Sequence, residues 1–350
     1  MVYLDYSATY PYVKYPSSDY GTFFNPNANY AYKEKRLLSE AEDRVKKAIG
    51  AKGGKVIFGG TSSQLIENLM NVILSSEYSC DVFCSKYEHD SFFRYRDDSF
   101  YDKDELELLL NQVDNYTIPV VLWQAAQNIT GEIFPTKQIG ELVHKYNGFY
   151  ICDGTAQIGH TPIESNIDDW CDFYAFSGHK LGTELGVGCC WVSDRLDKWL
   201  DGFKLHGTPN LAGALAMTQA VEDSCNISSL EEKQARWMDL SDELYSRLLD
   251  VCADVKQIGN NEGCWAINAI RLPGFNARAL QSYLASKEIY IGLGQSSCAN
   301  EADRRILCQG YGLSEQEADE VVRISFGADS SVEEVKALIG GIVAFRKEYL

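Results

Sequence analysis

The chain has 350 residues, enough for one large domain or two, and 45% of them are hydrophobic and 23% charged. This composition is that of an ordinary globular protein and excludes a disordered, collagen-like or coiled-coil chain. The formal net charge of −18 argues against a nucleic-acid partner and against an anionic membrane surface, since both require a basic face.

Helical and strand patterns alternate from about residue 35 to residue 200. Apolar residues at three- and four-residue spacings predict helices, and continuous apolar runs are typical of parallel strands that are buried on both faces. Helices are predicted over 34–49, 102–113 and 136–146, and another is opened by the turn 59–63 and runs through Leu74. Strands are predicted over 55–58, 81–84, 118–123, 149–152, 172–176 and 187–192. This order predicts a wound α/β domain with a mostly parallel sheet and helices on its faces.

The pattern changes after Pro209. Residues 211–249 are largely helical, with a break near 226–229. Shorter strands follow among helices, and they are predicted over 266–272, 289–293 and 322–326. We therefore predict a large α/β domain over 12–228 and a small α+β domain made of 1–11 and 229–350.

The eleven cysteines are odd in number, form no C-x2-C pair and mostly lie in apolar stretches, where free thiols pack as small hydrophobic groups. The first ten residues lack the features of a signal peptide, and no apolar run approaches the roughly 20 residues that span a bilayer. We expect a soluble, reduced protein of the cytoplasm. No metal is expected, because the five histidines and the cysteines lack ligand spacing.

Lys180 stands in the motif Ser177-Gly178-His179-Lys180, directly after a predicted buried strand. Ligands bind at strand ends in α/β sheets, and a lysine there is well placed for Schiff-base chemistry. The alternative is an ordinary solvated lysine on the surface.

Two further features accompany this lysine. Asp153 ends the predicted strand over 149–152, where a carboxylate can pair with the ring nitrogen of pyridoxal phosphate (PLP), or can simply cap a helix or turn. The turn over 59–63 is rich in Gly, Ser and Thr and opens a helix, so its N–H groups and hydroxyls can bind a phosphate. It lacks the spacings of nucleotide-binding loops.

The chain resembles the cysteine desulfurases of the class V aminotransferase superfamily, which are fold type I PLP enzymes. The resemblance extends over essentially the whole chain, in the family's order. Its motifs are Tyr3-Leu4-Asp5-Tyr6-Ser7-Ala8-Thr9, Asn25-Pro26, Glu88-His89, Asn128-Ile129-Thr130-Gly131, Asp153-Gly154-Thr155, Ser177-Gly178-His179-Lys180, Gly207-Thr208-Pro209-Asn210, Ser296-Ser297-Cys298 and Arg323-Ile324-Ser325-Phe326-Gly327.

The resemblance implies a role for each matched residue. Lys180 binds PLP as a Schiff base and moves protons, Asp153 pairs with the ring nitrogen, and His89 stacks on the ring and takes part in proton transfer. The remaining PLP contacts are implied for Asn128, Thr61, Ser62, Ser177, His179 and Thr208, the last from a second subunit of a homodimer. Arg323, with Asn128, binds the substrate.

The resemblance also implies the reaction. L-cysteine is converted to L-alanine, and its sulfur passes to Cys298 as a persulfide and then to an acceptor, as in iron–sulfur cluster assembly. Cys298 stands among small polar residues, which favours an exposed thiol. Two alternatives remain: a selenocysteine lyase or other class V aminotransferase or lyase, and a catalytically silent PLP-fold binding protein.

The sequence departs from the family at several positions. Ala156 stands where the family has a glutamine that contacts the ring oxygen, and Gln157 follows one residue later. The phosphate-binding turn reads Gly60-Thr61-Ser62-Ser63-Gln64 in place of the family's Gly-Ala-Thr-Glu, which leaves two registers open, and the glycine-rich run before Gly207 is shortened. These departures do not affect Lys180, Asp153, His89, Cys298 or Arg323.

Overall fold

The computed structural model describes residues 1–203, 207–295 and 304–349. The chain divides into two compact units. The larger unit comprises 12–126 and 134–227, and the smaller unit comprises 1–11, 127–133 and 228–350, less the residues outside the described ranges.

The helices and strands of the described residues follow in chain order. The strands are β1 (Val2–Leu4), β2 (Lys55–Gly59), β3 (Ser79–Ser85), β4 (Asp98–Phe100), β5 (Thr117–Leu122), β6 (Phe149–Asp153), β7 (Phe173–Ser177), β8 (Gly188–Val192), β9 (Lys256–Ile258), β10 (Ile267–Arg271), β11 (Ile289–Leu293) and β12 (Val321–Ser325). The α-helices are α1 (Tyr32–Ala48), α2 (Ser62–Leu74), α3 (Asp90–Phe93), α4 (Lys103–Leu110), α5 (Thr136–Lys145), α6 (Asp197–Leu200), α7 (Leu211–Ser224), α8 (Ile227–Val251), α9 (Ala277–Ala285), α10 (Glu315–Ala318) and α11 (Val332–Tyr349).

The larger unit is built on a seven-stranded sheet with the order β2-β8-β7-β6-β5-β3-β4. The strands from β7 to β4 are parallel, whereas β8 is antiparallel to both β7 and β2. The predicted mostly parallel sheet is therefore confirmed. In a sheet of this kind, the carboxyl ends of the parallel strands share one edge, where ligands bind.

The central strands are buried on both faces, as their continuous apolar runs predicted. On β6, Tyr150 and Cys152 pack into one hydrophobic cluster and Phe149 and Ile151 into a second cluster. Helices cover both clusters, so the sheet lies in the middle of the larger unit and holds its strand ends in fixed positions.

The smaller unit is built on a five-stranded sheet with the order β1-β11-β12-β10-β9. Strand β1, at the start of the chain, runs parallel to β11, and the other pairs are antiparallel. The sequence predicted an α+β unit here, and β1 brings the amino-terminal motif beside the strands of the last third of the chain.

The segment 127–133 corrects the predicted division of the chain, which placed it in the large domain over 12–228. It belongs to the smaller unit. The Thr130 hydroxyl lies 2.8 Å from the Tyr311 hydroxyl, and Gly131 adopts φ 76° so close to β10 that a Cβ would lie 2.6 Å from the Ile267 carbonyl oxygen. These contacts join residues far apart in sequence, so local patterns do not reveal them.

The break in the long helical region also differs from the prediction. It falls between α7 and α8, at Cys225 and Asn226, and Ser228 and Ser229 already belong to α8. No described helix combines the length and apolar character needed to cross a membrane.

Candidate active site

Lys180 lies on a short 3-10 turn, Gly178–Lys180, which directly follows β7. Gly178 donates its N–H to the Val187 carbonyl at 2.9 Å and accepts from Leu181 N–H at 2.8 Å, so backbone bonds fix the turn at both ends. The buried Ser177 is the last residue of β7. Lys180 and His179 are half-buried. The turn therefore presents both basic side chains at the carboxyl edge of the sheet.

Three hydroxyl groups meet at the amino terminus of α2. Ser62 donates its N–H to Ser177 Oγ at 3.0 Å, and the two Oγ atoms are 2.8 Å apart. Thr155 donates its hydroxyl to Ser62 Oγ at 3.1 Å. We call Ser62, Thr155 and Ser177 the hydroxyl cluster. It combines hydroxyls with the positive end of a 13-residue helix, a combination suited to a phosphate.

The register of the turn before α2 is settled by the helix cap. Thr61 is the N-cap residue, and its Oγ1 accepts the Gln64 N–H at 3.1 Å while its side chain stays exposed. Ser62 is buried and belongs to the hydroxyl cluster. Of the two predicted residues, only Ser62 is joined to Ser177.

Asp153 ends β6 beside β7, and its Oδ1 accepts the Thr155 N–H at 2.9 Å. The carboxylate and the hydroxyl cluster are thus linked through Thr155. The sequence motif Asp153-Gly154-Thr155 contains this threonine, but the spacing alone did not single out its hydroxyl.

His89 follows the end of β3 and precedes α3. Glu88 is buried, accepts the His89 N–H at 3.2 Å and also accepts the Gln124 N–H. Gln124 lies two residues after the end of β5, the strand that pairs with β3, so Glu88 connects the segment after β3 to the segment after β5. These contacts explain structurally why a glutamate directly precedes His89 in the sequence.

Gln157 is buried, and both ends of its amide bond to the protein. Its Oε1 accepts the Tyr174 hydroxyl at 2.8 Å, and its Nε2 donates to the Pro162 carbonyl at 3.2 Å. The amide is therefore used to hold the loop after β6, and we do not assign it a ligand contact.

Burial and the neighbouring positive charge of Lys180 lower the pKa of His179 to about 4. The ring of His179 is therefore neutral near pH 7. It can meet an anion as a hydrogen-bonding group but not as a cation.

Two further residues of the predicted site are Thr208 and Cys298. Thr208 is exposed and lines a groove of about 560 Å³ together with Gly60, Gln64 and Asn210. Cys298 lies outside the described residues. The residues on either side of that gap, Gln295 and Arg304, both bond to the carboxylate of Asp319.

Arg323 and Asn128 lie together in the smaller unit. Arg323 is on β12, is 1% exposed, and donates from NH1 to the Asn128 carbonyl at 3.1 Å and from NH2 to Asp5 Oδ1 at 2.8 Å. Ser7 donates its hydroxyl to the same Asn128 carbonyl at 2.8 Å. Asp5 and Ser7 belong to the amino-terminal motif, but their contact with this arginine was not predicted.

Two buried atoms of this group have no hydrogen-bond partner among the described residues. They are Arg323 Nε, a donor, and Asn128 Oδ1, an acceptor. Buried polar atoms are normally paired, so this donor and this acceptor require a partner such as water or a bound ligand.

The model of the class-V aminotransferase family matches residues 2–338. The chain belongs to this family. It is a family of PLP-dependent enzymes, and the membership predicted from the motifs is confirmed. The match includes residues of both units and ends within α11.

Proteins similar to this chain agree with that membership. The chain is 25% identical to a probable cysteine desulfurase of Chlamydia muridarum, covering 95% of this chain and 90% of the relative. It is 24% identical to the cysteine desulfurase IscS of Clostridium botulinum, covering 95% and 91%. The solved structure of a NifS-like protein from Rickettsia africae has the same fold, with a TM-score of 0.83, 20% identity and 99% coverage of each chain.

Proposed function

We propose that this chain is a PLP-dependent cysteine desulfurase, which converts L-cysteine to L-alanine and passes the sulfur through a persulfide on Cys298 to an acceptor. The observation that carries the proposal is the hydroxyl cluster at the amino terminus of α2, with Lys180 on the turn that follows Ser177. The relatives that are named cysteine desulfurases support the choice of substrate.

The residues at the sheet edge fit PLP by their chemistry. The hydroxyl cluster and the α2 amino terminus would hold the phosphate, with Thr61 and the neutral His179 beside it. Asp153 would pair with the ring nitrogen, and Lys180 would bind the aldehyde carbon. His89 would cover the ring, and Asn128 would lie near its oxygen. Bound PLP would supply an electron sink that acidifies the α-proton of an amino acid.

Close packing against the hydroxyl cluster supports this fit. Gly188 on β8 lies so near the start of α2 that a Cβ would be 2.7 Å from the Thr61 carbonyl carbon and 3.0 Å from Ser62 N. A side chain here must displace the backbone that would hold the phosphate, because the nearest neighbours are main-chain atoms of Thr61 and Ser62.

Gly188→Ala is expected to lower the affinity for PLP by about tenfold, because it moves the Thr61 and Ser62 backbone away from the phosphate. Spectrophotometric titration of the cofactor-free protein with PLP measures the change. Gly340→Ala is the matched control, since nothing lies within 4 Å of a Cβ at that position in α11. Equal PLP affinity in the two variants would contradict the phosphate assignment.

The remaining residues act on the substrate. Arg323 binds the carboxylate of L-cysteine through a charge-assisted hydrogen bond. Lys180 removes and returns protons at the substrate carbons, and His89 assists. The Cys298 thiolate attacks the substrate sulfur, so that an S–S bond forms and the Cβ–S bond breaks. The electron pair left on Cβ takes a proton, which yields L-alanine.

The proposed function also implies a domain role, an oligomeric state, a location and a sulfur acceptor. The larger unit would be the PLP-binding domain, and the chain would work in the cytoplasm as a homodimer in which Thr208 reaches the phosphate site of the second subunit. The sulfur acceptor would be a protein or a small molecule, with iron–sulfur cluster assembly as one use of the sulfur.

The deciding experiment mixes PLP-loaded protein with L-cysteine and a thiol reductant and measures alanine and sulfide. We expect equal amounts of both products, and neither from Lys180→Ala. A wild-type protein that holds PLP but releases no alanine would overturn the proposed function.

A further inference from the structure

The side chain of Arg323 crosses a neighbouring strand to reach its carboxylate partner. Strand β11 lies between β1 and β12, and Gly292 on β11 is paired with Arg323 on β12. Asp5 directly follows β1, and it also forms an isolated β-bridge with Ser325 at the end of β12. The guanidinium NH2 reaches Asp5 Oδ1 at 2.8 Å.

The crossing depends on the absence of a side chain at residue 292. A Cβ on Gly292 would lie 2.5 Å from Asp5 Oδ1 and 2.9 Å from Arg323 Nε. Both distances are too short for any real Cβ. An alanine at this position must therefore push the aspartate and the arginine apart or lift the guanidinium from its place over β11.

Packing and a second hydrogen bond hold the Arg323 side chain in place, in addition to its ion pair with Asp5. The guanidinium packs over Gly292, and its NH1 also donates to the Asn128 carbonyl at 3.1 Å. Asp5 is bonded through one oxygen only, and Arg323 Nε keeps no partner among the described residues. The Nε donor is therefore available to a further acceptor such as a carboxylate.

We propose that Asp5 is a resident counter-ion that sets how tightly Arg323 binds the carboxylate of the amino acid, and that Gly292 is the position that permits this pairing. The inference rests on the proposed role of Arg323 toward the substrate. An incoming carboxylate must share the single positive charge with Asp5 and is repelled by its negative charge. The pair therefore weakens the binding of substrate and product carboxylates. Asp5 is a positioning residue in this scheme, not a catalytic one.

Asp5→Asn tests the charge, because asparagine has nearly the same size and keeps an oxygen that can accept from NH2. With PLP-loaded protein, we expect the Kd of L-alanine, measured by calorimetry, to fall about tenfold. The KM for L-cysteine falls in parallel. L-alaninamide, which has no carboxylate, keeps its wild-type Kd. A purely structural role would instead weaken both ligands.

Gly292→Ala tests the geometry while leaving every charge in place. We expect it to lower the Kd of L-alanine, in the same direction as Asp5→Asn, because the added methyl group separates the Asp5 carboxylate from Arg323, and to change that of L-alaninamide much less. An unchanged ratio of the two Kd values in this variant would overturn the proposal. It also provides the test if Asp5→Asn fails to fold, as judged by its melting temperature and PLP content.

Arg323→Ala separates this inference from the proposed function. If that variant loses L-alanine binding while Asp5→Asn binds it no more tightly than wild type, the inference about Asp5 is wrong and the role of Arg323 stands. If Arg323→Ala binds L-alanine like wild type, the substrate role of Arg323 fails, and the inference fails with it.

Discussion

Cys298→Ala is expected to reduce sulfide release from L-cysteine at least a hundredfold while the protein still binds PLP. The reason is that a thiolate must accept the substrate sulfur, and only an accessible thiol that ionises readily can do so. Sulfide and alanine are measured with a thiol reductant, and PLP content is read from the absorbance of the purified protein.

The other cysteines explain why Cys298 is the nucleophile to test. Among the described residues, burial raises the pKa of Cys171, Cys189, Cys190 and Cys264, so these thiols stay protonated and inert. Burial also raises the pKa of the half-buried Cys308. All of these thiols are poor nucleophiles near neutral pH.

Cys308→Ala is accordingly the matched control, because it removes a partly accessible thiol from the same part of the chain and is expected to keep wild-type activity. If Cys298→Ala releases as much sulfide as wild type, Cys298 is not the nucleophile. A selenocysteine lyase or another class V lyase then becomes the better description.

The larger sheet could be predicted because each of its central strands is a continuous apolar run in the sequence. The apolar runs 118–122, 149–152 and 173–176 lie in the parallel strands β5, β6 and β7, and burial on both faces of a parallel sheet requires this pattern. The short strands β4 and β9 were not predicted, since three residues at a sheet edge show no periodicity.

The residues of the candidate site could be predicted where a motif places them next to a strand end, as for Lys180 and Asp153. Contacts between distant segments could not. The hydroxyl of Thr155 reaches Ser62 on α2, and Asp5 reaches Arg323 across β11. Such pairs depend on strand order and on a glycine that admits a close approach, and neither is visible in local spacing.

The cysteines show what a local sequence pattern can predict, which is burial, and what it cannot, which is a catalytic role. The apolar settings of Cys152 and Cys189 correctly predicted buried thiols. The same reasoning marks Cys298 as different from them, but its position falls outside the described residues, so its role stays a prediction.

Asp172→Ala is expected to lower the free energy of unfolding by about 3–5 kcal/mol, because it removes the shared partner of a buried network. The Asp172 carboxylate is fully buried and accepts from Arg195 NH1 at 2.8 and 2.9 Å, from Tyr150 N at 2.9 Å and from Ser193 Oγ at 3.1 Å. It also lies 2.9 Å from His144 Nε2. Without it, buried donors lose their acceptor.

Asp172→Ala is also expected to affect the candidate site, because Asp172 directly precedes β7 and bonds to the backbone of β6. These two strands carry Ser177 and Asp153 at their other ends, so weaker anchoring of the strands should also weaken PLP retention. Denaturant unfolding followed by PLP titration measures both effects. The exposed Asp169 supplies the control, since Asp169→Ala should change stability by no more than about 0.5 kcal/mol. A loss below about 1 kcal/mol in Asp172→Ala would mean that water replaces the carboxylate and that the strands are held mainly by their apolar contacts.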